Sequence, residues 1–218
     1  VQGTTSPYAG APNALNQDDA LTSKNTTSRP GFVFYPAATS YGVSGGSGAS
    51  YPSNVMTYAE VAFLKAEAAE RGLGGLSAGQ AAGFYEAGIR ASMDQWGVSD
   101  VAAITAYLAQ PEVAYKGGVE GLKQIYTQKW IALYSDGIQA WSLFRRTCYP
   151  SNVHAGPNTI IPSIMRRFEY GTTEKSVNPH VKEAITRQGP DDLTTRMWWD
   201  TAPEAAPTYF AGCGDKAP

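Results

Sequence analysis

Two carboxylates on one predicted helix, Glu60 and Glu67, are the residues whose type and spacing come nearest to acid–base chemistry. Hydrolysis of a glycoside needs paired carboxyl groups about 5–9.5 Å apart across the sugar. Seven residues of helix separate these two by ~10 Å of rise, and Glu60 also stands where a helix-start cap is needed. Both therefore read as structural, with Glu67 placed to pair with a Lys or Arg of a following helix. Arg145 and Arg146 would suit a phosphate or an acidic sugar. At a helix C-terminus, however, an Arg pair favours the dipole and bridges acidic neighbours, for which Asp136, Glu120 and Glu169 are available. His154 and His180 are the only histidines, and neither has a Cys, Asp or Glu at zinc-ligand spacing. No Gly-rich phosphate loop and no G-x-S-x-G elbow is present. The expectation is a chain with no catalytic residues, no metal and no cofactor.

Aromatic side chains point instead to binding. Trp130 and Trp141 sit at helical spacing among apolar residues and read as core, as does the pair Trp198–Trp199 in the tail. Tyr35, Tyr41 and Tyr51 lie in Gly/Ser/Pro-rich loop sequence, where a ring can stack on the C–H face of a pyranose while Asn or Asp side chains meet its hydroxyls. These three are the candidate ligand-binding residues; the alternative for each is that it pins its loop to the body.

Composition bounds the class. The chain has 218 residues, with 17 Lys+Arg against 19 Asp+Glu. So balanced a charge lacks the basic excess of a nucleic-acid binder. Charged residues make up 17%, while Tyr contributes 13 residues and Gly 23, which suits an extracytoplasmic surface that meets polar, uncharged ligands. No apolar run approaches the ~18 residues of a membrane span. The N-terminus shows no basic and apolar export pattern, so the expectation is that any such signal has been removed. Cys148 and Cys213 are the two cysteines. A disulfide between them would stabilise a secreted chain by about 4 kcal/mol in the chain-entropy model; two free thiols are the alternative.

The elements that position these residues occupy the middle of the chain. Residues 1–56 form an irregular, loop-rich segment, and Gly42–Ser50 has the composition of a flexible linker. Helical periodicity starts at Thr57, which forms a predicted capping box with Glu60, and runs to Gly72. Val61, Leu64 and Ala68 define its predicted inner face, widened by Phe63 and Ala66. A second box, Ser77 with Gln80, opens a helix to Trp96 with a seam of small residues, Ala81, Tyr85, Gly88 and Ser92. Ser99 or Asp100 caps a short helix with Val101, Ile104 and Leu108 inward. A long helix then carries Val119, Leu122, Ile125, Tyr126, Trp130 and Leu133. Asp136–Gly137 breaks it, and Ile138, Trp141 and Phe144 continue inward. Residues 57–150 are thus helical hairpins, and 151–218 an irregular, proline-rich coat with one short helix near Pro179–Arg187. The fold class is mainly α, with tetratricopeptide-like helical hairpins and long irregular loop segments. So long a structureless stretch at the start reads as part of a larger domain.

MTYAEVAFLKAEAAERG (56–72), YEAGIRASMDQWGV (85–98), IYTQKWIALYSDGIQAWSLFRRTCYP (125–150), KSVNPHVKEAI (175–185) and MWWD (197–200) together resemble the SusD/RagB outer-membrane lipoproteins, and most closely their second large SusD-like subfamily. The resemblance runs over roughly residues 50–200. It implies the C-terminal half of a surface protein of Bacteroidetes-type bacteria, held to the outer membrane by an N-terminal lipid absent from this chain. The hairpins seen would be the last two of four. It implies capture of oligosaccharides, or of peptides in the RagB branch, for import through a SusC-type TonB-dependent transporter, with the remaining N-terminal half as a further partner. A helical glycoside hydrolase and a tetratricopeptide adaptor are the alternatives from other classes. The chain departs from the family pattern at Cys148, where Gly usually follows Arg-Arg-Thr, and at Arg166–Gly171, where a Tyr-Pro usually stands. The first departure favours the disulfide.

Overall fold

Thr57 starts the first helix of the computed structural model, which describes residues 53–153 and 165–198. Its hydroxyl accepts the Glu60 N–H at 3.1 Å, satisfying one donor that the first turn leaves free. Helix α1, Tyr58–Glu70, ends where Gly72 turns left-handed at φ +64°. Only half of the predicted capping box forms, because the Glu60 side chain lies buried 3.6 Å from Lys129 instead of folding back.

The inner face of α1 is rotated from the predicted one: Phe63 and Ala66 are buried as expected, but the three residues that were to define it are not. Ala59, Ala62, Phe63, Ala66 and Ala69 are buried, whereas Leu64 is 39% exposed and Val61 and Ala68 are only half-buried. The reason is close approach. Helix α2, Ala81–Gln95, crosses α1 with Gly88 against Phe63, and a Cβ on Gly88 would stand 2.8 Å from that ring. Alanines and a glycine allow two backbones to near each other where a Val–Leu stripe would hold them apart. The predicted seam of α2 holds, with Ala81, Tyr85 and Gly88 buried and Ser92 half-buried. A short 3₁₀ turn, Ala78–Gln80, precedes α2, and the Gln80 side chain accepts the Ser77 N–H at 3.0 Å as predicted.

Asp100 caps α3, Val101–Leu108, by accepting the N–H groups of Ala102 and Ala103. Ile104 is buried, but Val101 is 70% exposed. Helix α4, Gly118–Ala132, buries Leu122, Ile125, Tyr126 and Ala132, and the following Leu133 is buried too; Val119 faces out. Asp136 accepts the Gln139 N–H at 3.1 Å and opens α5, Gly137–Thr147, at the predicted break. Leu143, Phe144 and Thr147 are buried, while Ile138 and Trp141 are exposed, against expectation.

Tyr85 sits at the centre of the core, edge-on to Phe63 at 6.2 Å, with its hydroxyl donated to the Val113 carbonyl at 2.8 Å. Burial pushes the Tyr85 hydroxyl well above its ordinary pKa, so it stays a donor.

After residue 165 come two short helices, α6, Thr172–Val177, and α7, Val181–Gln188; only the second was predicted. Asp191 ties this region together, meeting Arg167 at 3.2 Å, Lys175 at 3.1 Å and the Tyr170 N–H at 3.0 Å. The Arg166–Gly171 turn, where the family pattern breaks, is thus built around that carboxylate. Among the described residues there is no strand, and no helix is long and apolar enough to cross a membrane.

Candidate functional site

Two clefts border the α4–α5 hairpin, and their chemistries are opposite. The first, about 440 Å³, lies between α1, α4 and α5 and is lined by Glu67, Arg71, Lys129, Gln139, Ser142 and Arg146 among others. Glu67 is its hub. Arg146 donates to both of its oxygens, at 2.6 and 2.9 Å; Arg71 adds a bond at 3.0 Å and the Tyr126 hydroxyl one at 3.2 Å. Burial acts to raise the Glu67 pKa, but the hydrogen bonds and charge of Arg146, with those of Tyr126 and Arg71, hold it below the usual carboxylate range. Tyr126 is pushed up to about 12 by burial and by Glu67, so it remains a donor. The Arg146 guanidinium also lies 5.3 Å over the Tyr126 ring.

Lys129 is buried beside Glu60, and burial lowers its pKa against the pull of that carboxylate. Glu60 and Glu67 are therefore each committed to a cation from another helix, and neither is an acid–base partner of the other. A third acid of α1, Glu70, accepts from the Tyr115 hydroxyl and from the Gly118 N–H at the start of α4, where the helix dipole favours an anion. Arg145 donates to the Arg166 carbonyl at 2.7 Å. The Arg pair is structural as expected, but Arg146's partner is Glu67, not Asp136, Glu120 or Glu169. Glu67 is 79 residues away in sequence, and no local spacing signals it.

The second cleft, about 380 Å³, is lined by apolar and aromatic residues, Trp130, Ile131, Tyr134, Trp141, Phe144 and Val153, together with Leu133 and small residues of α5. Trp141 and Phe144 are 6.3 Å apart and tilted by 33°. Tyr134 meets Trp96 edge-on at 5.9 Å. Trp141 was expected in the core; it is 39% exposed and lines the cleft beside the small residues Gly137 and Ala140. Among the described residues that line it, none carries a carboxylate, carboxamide or cation, so this part of the cleft is a ring surface.

Of the predicted ligand-binding residues, Tyr35, Tyr41 and Tyr51 lie outside the described residues, as do Cys213, His154 and Trp199. Trp198 is 85% exposed, so if either member of that pair packs it is not this one. His180 is exposed, 3.4 Å from Glu183. Cys148 is disulfide-bonded and takes a left-handed conformation, φ +61°, at the C-terminus of α5. Among the described residues no group of His, Cys, Asp and Glu could hold a metal ion.

Residues 4–171 match the family model SusD-like_2, described as "Starch-binding associating with outer membrane". The match begins at residue 4, so it takes in the loop-rich segment that the helical motifs left out. Among solved structures, the chain is 37% identical to a SusD-like protein of Bacteroidetes AC2a, with a TM-score of 0.58 over 67% of this chain and 30% of that one. It is 33% identical to a SusD homologue from Bacteroides thetaiotaomicron, with a TM-score of 0.52 over 68% of this chain and 38% of that one. The chain thus spans well under half the length of these relatives. No curated protein matches it.

Proposed function

This chain belongs to the SusD-like family, and from that premise we propose that it is the helical frame of a protein that captures oligosaccharides at the outer membrane without breaking a bond. The observation that carries the reading is the family match over residues 4–171, whose description joins starch binding to the outer membrane. Its side chains agree with binding over hydrolysis, since Glu60 and Glu67 are both held by cations. In this reading the whole protein is lipid-anchored and surface-exposed, and it hands its ligand to a SusC-type TonB-dependent transporter. Tyr35, Tyr41 and Tyr51 supply the stacking surface, and each hydroxyl contact adds little, because it exchanges water for protein at ~1 kcal/mol net.

Titration calorimetry of the intact protein with maltooligosaccharides tests this. Tyr→Ala at 35, 41 and 51 in turn should weaken binding at least at one position, by about tenfold, if a stacked ring supplies ~1–2 kcal/mol. A response to peptides alone would move the protein to the RagB branch. Release of reducing ends would overturn the reading.

A further inference from the structure

We draw no further inference here: the strongest candidate, the exposed and uncharged surface patch that Val101, Ala102, Thr105 and Ala106 form on helix α3, carries nothing because nothing in the structure shows what covers it.

Discussion

Replacing Glu67 by Gln keeps the side chain's shape and removes the charge on which α1, α4 and α5 converge. The wild-type carboxylate takes two bonds from Arg146, one from Arg71 and one from Tyr126. The Gln amide can accept at one oxygen only, and its NH₂ would face an Arg146 donor. Breaking a fully buried ion pair costs about 3–5 kcal/mol, mostly through the charge left behind. Here the side chain of Glu67 is 8% exposed, but those of Arg71 and Arg146 are 33% and 41% exposed, so both cations regain water when their partner goes. The discounted cost is about 2 kcal/mol. For a chain of this size that corresponds to a fall in Tm of ~4–8 °C.

The pH dependence follows from the direction of the Glu67 shift. Its folded pKa lies below the unfolded value, so the folded state binds fewer protons, and the stabilisation is complete above the unfolded pKa of ~4.3. It is lost as pH falls through the folded value. Thermal melts of wild type and Glu67→Gln should therefore differ by a constant gap from pH 7 down to about 5, and the two should converge in more acid solution. Arg146→Met should lose a similar amount, and the double variant should lose less than the sum. A gap below ~0.5 kcal/mol at pH 7, which is within the range of ordinary surface substitutions, would refute the reasoning. So would a gap that closes toward alkaline pH.

Gly88→Ala should lower stability by about 1–3 kcal/mol in a denaturant melt, because its Cβ meets the fully buried Phe63 ring at 2.8 Å. Gly121→Ala should also lower stability, since its Cβ meets the Tyr115 ring at 2.9 Å and that ring is held by Tyr85 and by Glu70. Tyr85→Phe leaves the buried Val113 carbonyl without its donor and should cost about 1–3 kcal/mol by the same assay. Without the disulfide, a chain with Gly at position 148 should exceed one with Ser there by roughly 0.5–1 kcal/mol, both carrying Cys213→Ser, because φ +61° favours glycine. Equal midpoints for those two chains would contradict the left-handed cap.

The sequence made the helix starts and the close-packed seam legible, since both rest on local chemistry. Thr57, Asp100 and Asp136 are capping residues beside periodic runs, and all three cap. The Ala81–Tyr85–Gly88 seam announced a close approach through its small residues. The orientation of α1 was not legible. Val61 and Leu64 carry more apolar area than the alanines, so bulk alone selects the wrong face; the winning term is the distance between helices, which no single helix encodes. Ile138 and Trp141 failed for a related reason. A helix that packs on one neighbour along Leu143 and Phe144 leaves its other apolar residues to whatever covers that side. Partners joined across long sequence separations, Glu67 with Arg146 and Glu70 with Gly118, have no local signature at all. The candidate tyrosines fall outside the described residues, so that reading rests on loop composition.

The acids of α1 separate frame from site. Glu60, Glu67 and Glu70 each reach a group carried by the second half of the helical body: Lys129, Arg146 and the Gly118 N–H. Hydrophobic contact between alanine faces is permissive about rotation and sliding, whereas three carboxylates with three fixed partners accept one register. That arrangement uses the helices' ionisable groups to set geometry, and under the proposed glycan-capture reading recognition falls to other segments. Glu67→Gln should consequently shift the melting temperature while leaving the oligosaccharide Kd unchanged, measured well below the melt. Loss of affinity in a fully folded Glu67→Gln protein would place the charged cleft within the ligand site and remove the division between frame and loops.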